Sequence, residues 1–187
     1  IKTKKISWIV PCFNEEKVIL ELLKRIKKVS EKVNQYNWEL ILIDDGSSDN
    51  TNKILKNIVD YPFELHLLSF SRNFGHQAAV QAGIDNCSSS AAIIIDADLQ
   101  DPPEIAETMI KKWQDGYDVI YGQRTRRSKE NWFKRLTAFL FYRLFNFLSG
   151  ISIPLDTGVF RLIDKTVIDA LKQLPEKGRF IRGLVSW

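Results

Sequence analysis

Two aspartates, Asp96 and Asp98, stand directly after the apolar run Ala91 to Ile95. Carboxylates at i and i+2 beyond a buried strand can reach one hard cation together. Magnesium or manganese takes such oxygen ligands, usually alongside substrate phosphates. Asp44 and Asp45 close a second apolar run, Trp38 to Ile43, and Glu15 follows a first one, Ile6 to Val10, which ends at Pro11. In an open α/β sheet, ligands bind beyond the carboxyl ends of the strands. Acid at the ends of these strands predicts a single acidic edge, costly unless a metal, a base or a sugar hydroxyl uses it. A nucleotide diphosphate suits that edge: Asp44 and Asp45 face base and ribose, and the Asp96–Asp98 pair holds Mg²⁺ or Mn²⁺ across the phosphates. Taken singly, Asp96-Ala97-Asp98 also reads as a solvated acidic turn with a helix cap before Pro102-Pro103.

The elements that must position these residues follow from hydrophobic spacing. Strands are predicted at Ile6–Val10, Trp38–Ile43, Phe63–Phe70, Ala91–Ile95 and Tyr117–Tyr121. Between them, a helix opens at Asn14-Glu15-Glu16 and carries Ile19, Leu22, Leu23, Ile26 and Val29 at helical spacing. Further helices are predicted at Thr51–Val59, capped by Ser48 or Asp49, at His76–Asp85, and from Pro102-Pro103 to about Trp113. This alternation predicts a doubly wound α/β fold with a mostly parallel sheet flanked by helices.

The pattern changes after Arg124. Trp132 to Leu148 is helical in character and aromatic, with Lys134, Arg135 and Arg143 interleaved. Apolar residues run nearly all round it, so it is either buried on two sides or meets lipid. Asp156 to Arg161 reads as a turn into a short strand, followed by a helix from Lys165 to Leu174 and a basic tail, Lys177 to Arg182.

At 187 residues, 44% hydrophobic and 27% charged, the chain is of a size and composition for one globular domain. Between Arg124 and Arg135, six basic residues face one acidic residue, a local excess larger than the net +4 of the whole chain. Such a patch meets phosphates, nucleic acid or an anionic membrane face. The strand-end carboxylates would repel nucleic-acid phosphates, so no nucleic-acid partner is expected. Cys12 and Cys87 lack metal-ligand spacing and read as reduced thiols in a cytosolic setting. No GxGxxG follows the first strand and no GxxxxGK[ST] occurs, which sets aside dinucleotide oxidoreductases and P-loop NTPases. No apolar run is long enough to span a bilayer.

Six segments together carry a family resemblance: IVPCFNEE (Ile9 to Glu16), LIDDGSSDNT (Leu42 to Thr51), SRNFGHQAAVQAG (Ser71 to Gly83), DADLQDPPE (Asp96 to Glu104), YGQR (Tyr121 to Arg124) and DTGVFRL (Asp156 to Leu162). In this order they resemble the family 2 glycosyltransferases of GT-A fold. Within that family they are most similar to polyprenyl-phosphate glycosyltransferases, the bactoprenol glucosyltransferases and, more distantly, the dolichol-phosphate mannose synthases. The resemblance implies that Pro11, Phe13 and Glu15 line a nucleoside pocket and that Asp44 and Asp45 contact base and ribose. Phe13 stands where tyrosine is common. Asp96, Ala97 and Asp98 match the metal and diphosphate motif, and Gln100 a position near the metal.

Asp156 matches the acidic residue near the acceptor, the usual general-base candidate, although Asp-x-Gly is also a turn signal. Arg124 and Arg135 match basic positions for acceptor or donor phosphate, with Arg161, Arg179 and Arg182 held more loosely. Arg72 and Asn73 either shape a loop or touch substrate. His76 reads as structural and Cys12 as inert.

The implied reaction is inverting, metal-dependent transfer from a nucleotide sugar, UDP-linked, to a polyprenyl phosphate at the cytoplasmic membrane face. Residues 1–124 would hold the donor and 125–187 the acceptor and membrane-proximal part of one catalytic domain. A membrane surface and a further copy of the chain are the implied partners. Transmembrane helices usually follow this domain in the family, and the chain is expected to be a piece of a longer protein. A saccharide acceptor and a GDP-mannose donor are the alternatives. The QxxRW motif of processive synthases does not occur.

Overall fold

The computed structural model describes residues 4–58, 61–123 and 157–174. The aromatic segment Trp132 to Leu148 lies outside the described residues, as do Arg124, Arg135, Asp156, Arg179 and Arg182.

The strands are β1 (Lys5–Cys12), β2 (Asn37–Asp44), β3 (Glu64–Ser69), β4 (Ala91–Ile94), β5 (Val119–Gln123) and β6 (Thr157–Asp164). They form one six-stranded sheet in the order β3-β2-β1-β4-β6-β5. The pairs β1/β2, β1/β4 and β2/β3 are parallel, whereas β6 runs antiparallel to both β4 and β5. The mostly parallel α/β sheet expected from the alternation is therefore present. The strand expected to be short is eight residues long and enters the sheet between β4 and β5.

Among the described residues, five helices cover the sheet: α1 (Ile19–Lys32), α2 (Thr51–Lys56), α3 (His76–Asn86), α4 (Ala106–Gln114) and α5 (Lys165–Gln173). One core joins α1 and α4 to the sheet through Leu22, Ile26, Met109 and Ile110 packed with Trp8, Leu40, Ile93 and Phe160. A second core joins α3 and α5 through Val80, Ile84, Ile168 and Leu171 packed with Ile9, Ile41, Ile94 and Ile163. Both faces of the central strands are thus buried, which explains why they read as continuous apolar runs rather than alternating ones. Gly83 lets α3 lie close to the sheet, since a Cβ there would stand 2.3 Å from Ile9 Cγ2.

Two boundaries differ from expectation for physical reasons. Helix α1 begins at Ile19, not at Asn14, because Asn14 takes a left-handed φ of 57° and the residues after it bond to a neighbouring loop. The double proline opens a 3₁₀ turn, Pro103–Ile105, before α4 continues; proline is suited to such a first turn because it has no N–H to leave unpaired.

Candidate active site

The register brings the acidic strand ends together. Cys12 pairs with Asp44, Asp44 with Ser69, and Ile9 with Ile94. Two further backbone bonds extend the ladder: Asp45 N–H donates to the Cys12 carbonyl at 2.9 Å and Ile95 N–H to that of Ile9 at 3.1 Å. Asp45 and Asp96 thus flank the end of β1 from either side. Between them opens a cleft of about 350 Å³ whose walls include Pro11, Phe13, Glu15, Asp45, Asp96, Ala97 and Asp98. Asn73 and His76 also line it.

Other sequence-predicted residues take different places. Asp44 is buried and is not a lining residue; its carboxylate accepts from Ser47 N–H at 3.2 Å and Asn52 Nδ2 at 2.6 Å. Arg161 is buried in β6, where Nε donates to the Val159 carbonyl at 3.0 Å and the guanidinium lies over the Tyr121 ring. Gln100 turns its backbone N–H to Asp98 Oδ1 at 3.0 Å.

Much of the recognisable motif sequence knits the loops that frame the cleft. Asn14 Oδ1 accepts from Ser48 N–H at 2.8 Å, Thr51 Oγ1 accepts from Glu15 N–H at 2.8 Å, and Glu16 Oε2 accepts from Asn50 N–H at 2.9 Å. The loop after β1 is thereby tied to the loop after β2. Gly46, at φ +68°, lies so close to the 71–75 loop that a Cβ would stand 2.3 Å from the Arg72 carbonyl carbon. Left-handed backbone and a backbone clash act together there. Gly46→Ala is expected to cost more than about 2 kcal/mol in urea unfolding.

Asp45 has a second task. Its two oxygens accept from Phe74 N–H at 2.7 Å and Gly75 N–H at 2.9 Å. This pins the turn that starts α3, where Gly75 takes a φ of 94°. His76, the first residue of α3, then reaches across the end of β1, and its Nε2 lies 2.7 Å from Asp96 Oδ1. Sequence spacing suggested a structural histidine; the structure places it in the cleft wall against an aspartate of the DxD pair. The only sequence signal was its position one residue after the glycine of SRNFGH.

Among the described residues, the electrostatics mark the cleft as short of positive charge. Burial, then the carboxylates of Asp98, Asp49 and Asp96, push the Glu15 carboxyl above its ordinary range. A carboxyl raised on folding keeps its proton to higher pH than in the unfolded chain. Its ionisation therefore lowers stability as pH climbs from the ordinary range through the raised one. Glu15→Gln should flatten that decline and raise the melting temperature near neutrality, read by thermal melts from about pH 4 to about pH 8. Cys12 is buried, and its burial, with Asp44 and Glu15 nearby, pushes the thiol up, consistent with an inert residue.

The donors present fit a divalent cation. Asp96 and Asp98 each accept at Oδ1, from His76 and from the Gln100 amide, and both residues line the cleft. Hard oxygen donors beside an excess of negative charge are what magnesium or manganese takes. Leu99, between this pair and Gln100, adopts φ 59°, and its side chain packs against the core. A left-handed φ is unusual for so bulky a residue, and core packing holds it there.

A second acidic group lies at the opposite edge of the sheet. Glu39, Glu64 and His66 could converge on one ion. The ammonium of Lys5 already stands among them, 2.7 Å from Glu64 and 3.5 Å from Glu39.

The family model described as Glycosyl transferase family 2 matches residues 7–172. The chain belongs to glycosyl transferase family 2. This family 2 chain is 48% identical to the uncharacterized glycosyltransferase YkcC of Bacillus subtilis, over 97% of its own length and 56% of that protein's. It is 41% identical to the bactoprenol glucosyl transferase of Shigella phage SfV, over 98% of its own length and 59% of that protein's. It therefore spans somewhat more than half the length of these relatives. Among solved structures, glucosyl-3-phosphoglycerate synthase of Mycobacterium tuberculosis, crystallised with Mn²⁺, UDP and phosphoglyceric acid, superposes at TM-score 0.63. The match is 17% identical and covers 88% of this chain and 57% of the other. That likeness establishes the shared α/β architecture of the GT-A fold.

Proposed function

We propose that this family 2 domain transfers a sugar, UDP-linked in the donor, to the phosphate of a polyprenyl phosphate at the cytoplasmic face of a membrane. The observation that carries the reading is the convergence of Glu15, Asp45, Asp96 and Asp98 on one cleft at the carboxyl ends of β1, β2 and β4. The Mn²⁺ and UDP in the Mycobacterium tuberculosis synthase support a metal-dependent nucleotide donor. The bactoprenol glucosyl transferase relatives support a lipid acceptor.

In this reading, Asp96 and Asp98 hold Mg²⁺ or Mn²⁺, with Ala97 and Gln100 beside the diphosphate. When bound, the ion supplies Lewis-acid neutralisation of the leaving diphosphate. Pro11, Phe13 and Glu15 form the nucleoside wall; Asp45 faces base and ribose from within the cleft, while the buried Asp44 holds the loop after β2 through Ser47 and Asn52. Arg124 and Arg135 hold the acceptor phosphate in line with the anomeric carbon and offset its repulsion from the donor; Arg161, buried in β6 with its Nε on the Val159 carbonyl, is not assigned to it. A phosphate acceptor is already ionised at neutral pH, so Asp156 has only to orient it. The aromatic, basic segment Trp132 to Leu148 suits the membrane interface, where the basic stretch around it favours anionic lipid. Among the described residues, no helix is long and apolar enough to cross a membrane.

The test is a transfer assay on the full-length protein with a short-chain polyprenyl phosphate and Mg²⁺ or Mn²⁺. UDP-glucose, UDP-N-acetylglucosamine and GDP-mannose, each radiolabelled, are run in parallel. Metal-dependent label in the lipid phase from one donor supports the reading and names the sugar. Soluble products without lipid label from any donor would overturn the lipid acceptor and favour a saccharide one.

A further inference from the structure

We infer that His76 is a positioning residue for the divalent cation, fixing the Asp96 carboxylate so that its second oxygen is presented to the ion. The inference rests on the reading of Asp96 and Asp98 as the metal pair and extends it to a residue that spacing leaves unassigned.

Three observations carry it. His76 Nε2 stands 2.7 Å from Asp96 Oδ1, a distance at which the ring nitrogen donates to the carboxylate. The ring is one wall of the same cleft as Asp96 and Asp98. The backbone that carries His76 is itself held in place. Asp45 accepts from the amides of Phe74 and Gly75, the two residues ahead of His76, and Gly83 seats α3 against Ile9 of β1. The result is a brace from the end of β2, over the end of β1, to the residue just past β4.

The chemistry follows from what a carboxylate needs in order to ligate. An aspartate side chain at a loop rotates freely, and ordering it costs entropy when the ion binds. A hydrogen bond to one oxygen settles that rotation beforehand and leaves the other oxygen for the metal. Hydrogen-bond partners of ligating carboxylates act in this way, and their loss typically costs about 10- to 100-fold in metal affinity.

The test measures Mn²⁺ binding directly, by loss of the free-ion electron paramagnetic resonance signal. It uses the full-length protein with fixed UDP, against a protein-free blank. Four proteins are compared: wild type, Asp98→Ala, His76→Ala and His76→Gln, each with its thermal melt. The expected result is binding by wild type, loss in Asp98→Ala, and weakening by about 10- to 100-fold in His76→Ala with an unshifted melt. His76→Gln, whose amide can still donate, should recover most of the affinity, which a merely space-filling role would not predict. Unchanged affinity in His76→Ala, with Asp98→Ala still deficient, overturns the role of His76 and leaves the metal pair standing. Binding that Asp98→Ala does not weaken, or no binding by wild type, overturns the metal pair and the role of His76 with it.

Discussion

Asp98→Asn should lower kcat/KM for sugar transfer by about a thousandfold, the loss of roughly 4 kcal/mol of transition-state stabilisation. The substitution isolates charge from shape. Asp98 Oδ1 accepts from the Gln100 amide at 3.0 Å, and an asparagine oxygen can accept the same bond. The loop with Leu99 at φ 59° therefore keeps its anchor. What disappears is one negative charge beside the second aspartate of the pair. A near-native melt with a collapsed rate would assign the loss to the missing charge. Retention of more than a tenth of the wild-type rate would argue that Asp98 does not serve the reaction. A second readout moves in the opposite sense: with Asp98 neutral, one of the charges that raise Glu15 is gone, and its carboxyl should titrate at lower pH.

Glu39→Ala should cost about 3–5 kcal/mol, read as a lower urea midpoint with an unchanged slope. Glu39 is 2% exposed on β2, far from the cleft. Its carboxylate accepts from the hydroxyls of Ser7 and Ser89, both buried, and pairs with Lys5 at 3.5 Å. Alanine leaves a cavity, the mutually bonded Ser7 and Ser89 hydroxyls short of one acceptor, and Lys5 with Glu64 alone. Unmade bonds by buried polar groups, more than the lost ion pair, set the size of the effect. Glu39→Gln keeps an oxygen for the two hydroxyls and should lose less than half as much. Equal losses in the two variants would assign the stability to the charge and not to the hydroxyl bonds.

The comparison of sequence with structure divides by range. The strands along the chain were legible as apolar runs; proline or acid closes those of β1, β2 and β4, and the parallel register brings these closures to one edge. The acidic cleft followed from this. What depended on partners far away in sequence was not legible. The stretch after Asp156 showed a strand, but its spacing held nothing to say that it would enter between β4 and β5. His76 looked uninformative because its partner, Asp96, lies twenty residues on. Asn14-Glu15-Glu16 carried good helix-start chemistry, yet the same groups bond across to residues 48–51, and tertiary contacts override the local preference. Asp44 and Asp45 are adjacent and alike on paper. In space one is buried beneath the cleft and the other braces its wall.

The late insertion of β6 governs the order in which this chain can be assembled. During synthesis, β1 to β4 emerge first and can pair with one another through local crossovers. Strand β4 then waits with an open edge until Thr157–Asp164 has been made, since that segment supplies its partner. Strand β5 waits too, because its hydrogen bonds in the sheet go to β6. More than thirty residues, 124–156, must be threaded past before the gap is filled, a long-range closure of the slow kind. An unfilled edge flanked by apolar Ala91–Ile94 is a template for pairing with another chain. Chains truncated before Thr157 should therefore be held by chaperones or aggregate, whereas chains in which Thr157–Asp164 is free to pair should resist protease.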